Sequence, residues 1–267
     1  MIYWFIFFAV LFFAIIFYQK FGGTAKNHLR VLMYHKVSAN GIMDEMTVES
    51  AMLEKQFCYI KEQGYSPVLL SQVIEFAVNN KPLPPKPILI TFDDGYLDNH
   101  TNLYPLQQRH AIPVAIFLVP SLIKKMGENA SYPTGEYLTF HDIASMDNAL
   151  VEFGLHSYDH KNYARLSAAE LQEDIERSKD LLTKMGIAFQ PCLAYPFGAY
   201  SKGNPFKQIP FFKVLARNKI VLAFRIGNRL NSLPFKNPLL IQRLNIKGNL
   251  SFEQFTALLK NGKRMFS

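Results

Sequence analysis

A chain of 267 residues, 49% of them hydrophobic and with no repeat period or low-complexity run, is long enough to bury one large core as a single domain. Its formal net charge of +8 is scattered except at residues 260–264, so it reads as solvated surface and gives no concentrated patch for a nucleic acid. The two cysteines, Cys58 and Cys192, fall in a helical and a strand-like pattern, which excludes a disulfide framework and makes both core candidates.

The chain opens on residues 1–18 without a single charged side chain. As a helix this stretch would be about 27 Å long at 1.5 Å per residue, close to a bilayer core. No basic start precedes it, and residues 22–25 match an Ala-x-Ala-like cleavage site only loosely, so an uncleaved membrane anchor is expected over residues 1–25, with one folded domain over 26–267.

Beyond the anchor, residues 30–34 read as a short strand ending at His35. A helix follows over 48–63 with Leu53, Phe57 and Ile60 on one face and Gly64 as its stop. Residues 67–70 read as a strand and 71–78 as a short helix. The proline-rich residues 81–86 form a stiff connector into an apolar strand at 88–92, which runs straight into Asp93, Asp94 and Gly95. Adjacent carboxylates repel each other, so both at a strand end call for something positive beside them, most simply a metal ion; an ordinary Asp-Gly turn is the plain alternative.

Residues 98–109 then read as a helix and 114–118 as a strand. Residues 151–156 are strand-like, and Ser167 with Glu170 forms a capping box for a helix carrying Leu171, Ile175, Leu182 and Met185. Strands are expected at 192–195, 221–224 and 239–244, and Ser251 with Gln254 caps a last helix bearing Phe255, Leu258 and Leu259. Seven or eight strands alternating with helices predict a parallel sheet closed into a distorted β/α barrel behind the N-terminal transmembrane helix, with a doubly wound open sheet as the alternative.

In a barrel, catalytic groups gather at the C-terminal strand ends, where His35, Asp93, Asp94, His156 and residues 195–198 all fall. His156 and His160, spaced i and i+4, can aim both rings at one point if the chain turns helically after the strand. With Asp94 they make a set of two imidazoles and one carboxylate that leaves positions open, the pattern of a hydrolytic rather than a structural metal site.

Residues 91–95 (Thr-Phe-Asp-Asp-Gly), 156–160 (His-Ser-Tyr-Asp-His) and 195–198 (Tyr-Pro-Phe-Gly) together resemble the successive signatures of the polysaccharide deacetylases of carbohydrate esterase family 4. The likeness covers nearly everything after the anchor. Residues 31–37 (Val-Leu-Met-Tyr-His-Lys-Val) resemble the biofilm poly-β-1,6-N-acetylglucosamine deacetylase branch, in which a histidine motif stands near the start of the domain.

The resemblance implies a hydrolase that removes N-acetyl groups from N-acetylhexosamine units of a polysaccharide. Asp94, His156 and His160 would hold zinc or another divalent ion, Asp93 would act as general base and His35 as general acid. Tyr195, Pro196, Phe197, Gly198 and Arg243 would face the substrate, with the Tyr195 N–H as an oxyanion donor. Many members carry an arginine where this chain has Ala194. Arg243 is a candidate substitute, and an ordinary surface or packing arginine is the alternative. The aromatic motif that lines the groove in other members has no clear counterpart, although Phe140 lies in its region.

Lys20, Lys26 and Arg30 after the span would keep the domain cytoplasmic by charge, whereas the family's use of exported polymers implies an extracytoplasmic domain, which is the expectation adopted. Two other functions compete: a metal hydrolase of a different amide, marked by activity on soluble amides and none on sugar oligomers, and a non-catalytic carbohydrate-binding relative, which loss of the base would mark. Asp93 is present.

Overall fold

The computed structural model describes residues 28–123, 136–203 and 205–262. The expected N-terminal span lies outside the described residues, and among the described residues no helix is long and apolar enough to cross a membrane. In chain order the main elements are β1 (His28–Tyr34), β2 (Lys36–Ser38), β3 (Thr47–Glu49), α1 (Ser50–Glu62), β4 (Ser66–Pro67), α2 (Leu70–Asn79), β5 (Pro87–Asp94), α3 (Tyr104–His110) and β6 (Val114–Leu118). They continue with α4 (Phe140–Ser145), β7 (Val151–Leu155), α5 (Ala168–Lys184), β8 (Cys192–Ala194), α6 (Pro205–Arg217), β9 (Leu222–Ile226), β10 (Asn231–Ser232), β11 (Ile241–Asn245) and α7 (Phe252–Asn261).

Seven strands run parallel in the spatial order β1, β11, β9, β8, β7, β6, β5, and the ring closes where β5 returns to β1, from Arg30 opposite Ile88 to Tyr34 opposite Phe92. The sheet is therefore a closed barrel and not the open alternative. Short β4 extends it beside β5, and β10 pairs antiparallel with β1.

Strand alternation decides what faces where. One parity of side chains, Leu29, Val31, Leu89, Ala115, Phe117, Cys192, Ala194, Leu222, Phe224 and Ile241, packs as a single buried cluster inside the ring. There Phe117 of β6 meets Phe224 of β9 at 5.4 Å between ring centroids, and the guanidinium of Arg243 from β11 lies 5.7 Å from the Phe117 ring. The other parity, including Leu32, Tyr34, Ile90, Phe92, Ile116, Phe153 and Leu193, packs outward against the helices. The helices meet that layer through the expected stripes: Leu53, Phe57 and Ile60 on α1, Leu171, Ile175 and Leu182 on α5, and Phe255, Leu258 and Leu259 on α7. Both expected capping boxes form, at Ser167 with Glu170 and at Ser251 with Gln254.

Local departures from expectation have backbone causes. The helix expected over 98–109 starts as a π-helical turn at Asn99–Leu103 and becomes α-helical only at Tyr104, where Pro105 offers no N–H to an α-type bond. The strand expected at 67–70 stops at Pro67 because Leu70 already opens α2. Helix α6 went unread because Pro205 and Pro210 punctuate it, and short α4 because it spans six residues.

Gly248 seats one wall of the barrel mouth. A Cβ there would stand 1.7 Å from the backbone oxygen of Thr47, and the neighbouring Asn249 N–H donates to Asp44 O at 3.0 Å. Gly248→Ala is expected to push the 44–47 segment away at a cost of about 1–3 kcal/mol, read as a lowered melting temperature in thermal denaturation.

Candidate active site

The inward positions at the C-terminal rim are the candidate residues. Met33 and His35 from β1 and its continuation, Asp93 and Asp94 from β5, His156 after β7, Ile226 from β9, and Arg243 and Asn245 from β11 line a cavity of about 440 Å³. His160, Phe197, Gly198, Tyr96, Tyr137, Met46, Glu45 and Lys247 also stand in its walls, with Val119 and Leu122.

Successive residues of a strand should point to opposite faces, yet both aspartates reach this cavity. Asp94 sits at φ +74 and Gly95 at φ +72, so the strand ends in left-handed backbone that swings the second carboxylate toward the rim. A Cβ on Gly95 would meet Leu118 Cδ2 at 2.9 Å, so glycine answers both the turn and the close approach.

Asp93 and Arg243 face each other across the barrel. Arg243 Nη1 donates to Asp93 Oδ1 at 2.6 Å and Nη2 to Oδ2 at 2.7 Å, a two-pronged contact between fully buried groups, and Nη1 also lies 3.3 Å from Thr91 Oγ1. Arg243 is therefore no surface residue: it is fully buried and its guanidinium holds the Asp93 carboxylate beside it. Burial alone would raise the Asp93 pKa, but the Arg243 and His156 charges outweigh it and hold the carboxyl below its ordinary range.

Asp94, His156 and His160 converge. Each histidine places Nε2 3.3 Å from Asp94 Oδ1, and the three candidate donor atoms all lie within 4.8 Å of one another. His156 Nδ1 contacts the Ala194 carbonyl at 2.8 Å and must donate to it, so that in the neutral ring the lone pair lies on Nε2, aimed at Asp94. Asp94 Oδ1 is buried without a hydrogen-bond partner. An orphaned carboxylate oxygen facing two imidazole nitrogens fits a divalent cation by geometry and by charge. Burial would lower the His156 pKa, yet Asp93 and Asp94 outweigh it and raise it, so the position calls for positive charge. Burial, with His156 nearby, lowers that of His160. Burial likewise depresses His35, against the pull of both aspartates.

Two sequence expectations need correction. The 156–160 segment does not turn helically: Ser157 and His160 occupy left-handed backbone at φ +67 and +55, and this irregular loop brings the rings together. Tyr195 and Pro196 do not line the cavity. By strand parity Tyr195 points outward, where it stacks with Tyr200 and its hydroxyl donates to Leu239 O at 2.8 Å. Its N–H donates to Phe224 O at 2.9 Å within the sheet, so it has no capacity left for an oxyanion. Of that signature, Phe197 and Gly198 reach the site, and Phe197 stands exposed at the rim with its ring 4.6 Å from that of His160.

Tyr96, Tyr137, Met46 and Lys247 were not foreseen in the site. Tyr96 directly follows Asp-Asp-Gly, which was a usable signal; the others come from loops whose placement needs the fold. Tyr96 and Tyr137 stack at 5.0 Å, with the Lys36 ammonium 4.2 Å from the Tyr96 ring centre, and Glu45 pairs with Lys247 across the mouth. Phe140 packs partly buried against the core instead of lining the cavity.

Behind His35, Asn99 Nδ2 donates both to the His35 carbonyl and to Asp98 Oδ1, each at 2.9 Å. Burial pushes the Asp98 carboxyl up to about 6. The folded value exceeds the unfolded one, so the native state holds an extra proton between about pH 4 and 6, and the associated stability is complete below that window and lost as pH rises through it. Asp98→Asn is expected to melt higher than the parent chain at pH 7.5, by on the order of 2 kcal/mol, and to match it at pH 4. Thermal melts at the two pH values check this.

Residues 80–204, from the connector before β5 to the loop after β8, match the family model described as polysaccharide deacetylase. The chain is 33% identical over 97 residues to the poly-β-1,6-N-acetyl-D-glucosamine N-deacetylase of Escherichia coli (strain K12), a match covering 36% of this chain and 13% of that protein. It is 24% identical over 181 residues to the enzyme of the same name from Staphylococcus aureus (strain MRSA252), covering 64% and 60% of the two. The chain thus spans less than two thirds of the length of these curated relatives. Among solved structures, the Streptococcus pyogenes deacetylase PplD in complex with acetate superposes with a TM-score of 0.71 at 22% identity, over 87% of this chain and 98% of that one, which bears on the fold. The matched segment carries both aspartates, both histidines and the 195–198 turn, and over residues 80–204 the chain belongs to the family described as polysaccharide deacetylase.

Proposed function

We propose that this protein hydrolyses the N-acetyl groups of N-acetylhexosamine units in a polysaccharide, of the poly-β-1,6-N-acetylglucosamine, chitin or peptidoglycan kind. The observation that carries the proposal is the pairing of a buried, ionised Asp93, clamped by Arg243, with the convergent Asp94, His156 and His160 in one cavity. Zinc is the divalent ion best matched to two imidazoles and a carboxylate. When bound, it supplies Lewis-acid polarisation of the amide carbonyl and acidifies water.

The chain's own residues then divide the work. Asp93, held as a carboxylate by Arg243, accepts the proton of the attacking water. His35, lining the same cavity, gives a proton to the departing amine, which is too basic to leave unprotonated. Exposed Phe197 offers a flat apolar face to a sugar ring at the rim, and half-buried Tyr137, stacked on Tyr96, lines the same cavity. His35→Ala is expected to keep its metal and to lose about a hundredfold or more on the amide, but much less on an activated acetyl ester whose leaving group needs no proton. Paired rates on the two substrates check it.

The catalytic domain is proposed to span residues 26–267 and to lie outside the cytoplasm, carried by the uncharged stretch over residues 1–18. The similarity to deacetylases named for poly-β-1,6-N-acetyl-D-glucosamine favours that polymer. The deciding experiment incubates the protein, with divalent metal added back after chelation, against poly-β-1,6-N-acetylglucosamine, chitin oligomers and peptidoglycan, and measures released acetate. Acetate from none of the three, with release from small soluble amides, would move the function to a different amidohydrolase.

A further inference from the structure

We propose that Asp174, on α5, is a positioning residue that holds the 156–160 loop in the one conformation in which both imidazoles meet Asp94. The proposal rests on Asp94, His156 and His160 being the metal-holding set. Asp174 interrupts the apolar stripe of its helix between Leu171 and Ile175, and it is 2% exposed. A carboxylate is costly at such a place unless its oxygens are bonded. Both are. Oδ2 accepts the Ser157 hydroxyl at 2.9 Å, and Oδ1 accepts the Tyr158 N–H at 3.1 Å and the Tyr163 hydroxyl at 2.7 Å.

The contacts fall where the loop needs them. Ser157 directly follows His156, and its Oγ accepts the N–H of Lys161, which directly follows His160, at 2.8 Å. One chain of hydrogen bonds, Asp174 to Ser157 Oγ to Lys161, thereby grips the backbone on both sides of the ligand pair. The loop requires that grip. Ser157 and His160 both hold left-handed backbone that side chains other than glycine resist, and a released loop would relax to negative φ and turn His160 away from Asp94. His156 is held independently through its Nδ1 contact with Ala194 O, so the burden falls on His160, which is half-buried and borne by the loop.

The test strips the full chain of metal and titrates it with Co(II), reading the dissociation constant, the visible absorption spectrum and the rise in melting temperature on loading. Asp174→Asn, which turns one acceptor oxygen into a donor, and Ser157→Ala, which cuts the bridge to Lys161 but leaves the buried carboxylate, are each expected to bind Co(II) about 10–100-fold more weakly. The spectrum should report one nitrogen ligand fewer, and the metal-free melting temperature of Ser157→Ala should stay close to that of the parent. A folded Asp174→Asn with the parent's affinity and spectrum overturns the proposal. If Asp174→Asn does not fold, Ser157→Ala decides by the same criterion. If the parent chain itself takes up no Co(II), the metal-site reading has failed, and the proposal falls with it; that result is distinct from a parent that binds and variants that bind equally.

Discussion

Asp93→Asn is expected to retain its divalent ion and lose between about a hundredfold and ten-thousandfold in deacetylation rate, whereas Asp94→Asn is expected to lose metal and activity together. The two residues are neighbours of the same type, and geometry separates them. Asp93 spends both oxygens on Arg243, at 2.6 and 2.7 Å, and His156 Nε2 stands 3.7 Å from it. Asp94 keeps Oδ1 free of hydrogen bonds, 3.3 Å from two imidazole nitrogens. An asparagine at 93 still offers one oxygen to Arg243 but accepts no proton from water at neutral pH. An asparagine at 94 leaves two neutral imidazoles with a neutral amide, a weak set for a dication. Metal content by elemental analysis beside the turnover number checks the pair, and equal metal loss in both variants would refute the division of roles.

Arg243→Met is expected to cost about 3–5 kcal/mol of stability at pH 7 and to shift the acid limb of the kcat/KM profile upward. With the guanidinium gone, burial dominates Asp93, and the carboxyl that Arg243 held low rises toward neutrality. The sign follows from linkage. In the parent, the Asp93–Arg243 interaction stabilises above the unfolded carboxyl value near 4 and is lost as pH falls; in the variant the folded value lies above the unfolded one, so stability is lost as pH rises. The melting-temperature difference between parent and variant should therefore be large at pH 8 and small at pH 4. A variant as stable as the parent at pH 8 would show that Asp93 is not ionised there.

The strand ends were legible in the sequence because they are local. Apolar runs stop at His35, at Asp93 and Asp94, and before His156, and each stop lies at the barrel rim. Arg243 was harder, since its partner is 150 residues away and the ring must close before β5 and β11 face each other. Tyr195 misled because it belongs to a motif that reaches the site, while strand parity turns that one side chain outward. Asp174 did leave a trace, a charge inside an apolar helical stripe, but its purpose is invisible until the loop above it is seen to be left-handed at two residues.

The ring is stoppered directly beneath the site. Among the described residues, Phe117, Phe224 and Arg243 pack together in its bore below the cavity. A polymer meeting such a bowl would face packed side chains beneath it and not a passage. On the proposed function, such a polymer would lie across the rim and lower an acetamido arm into the cavity from the side.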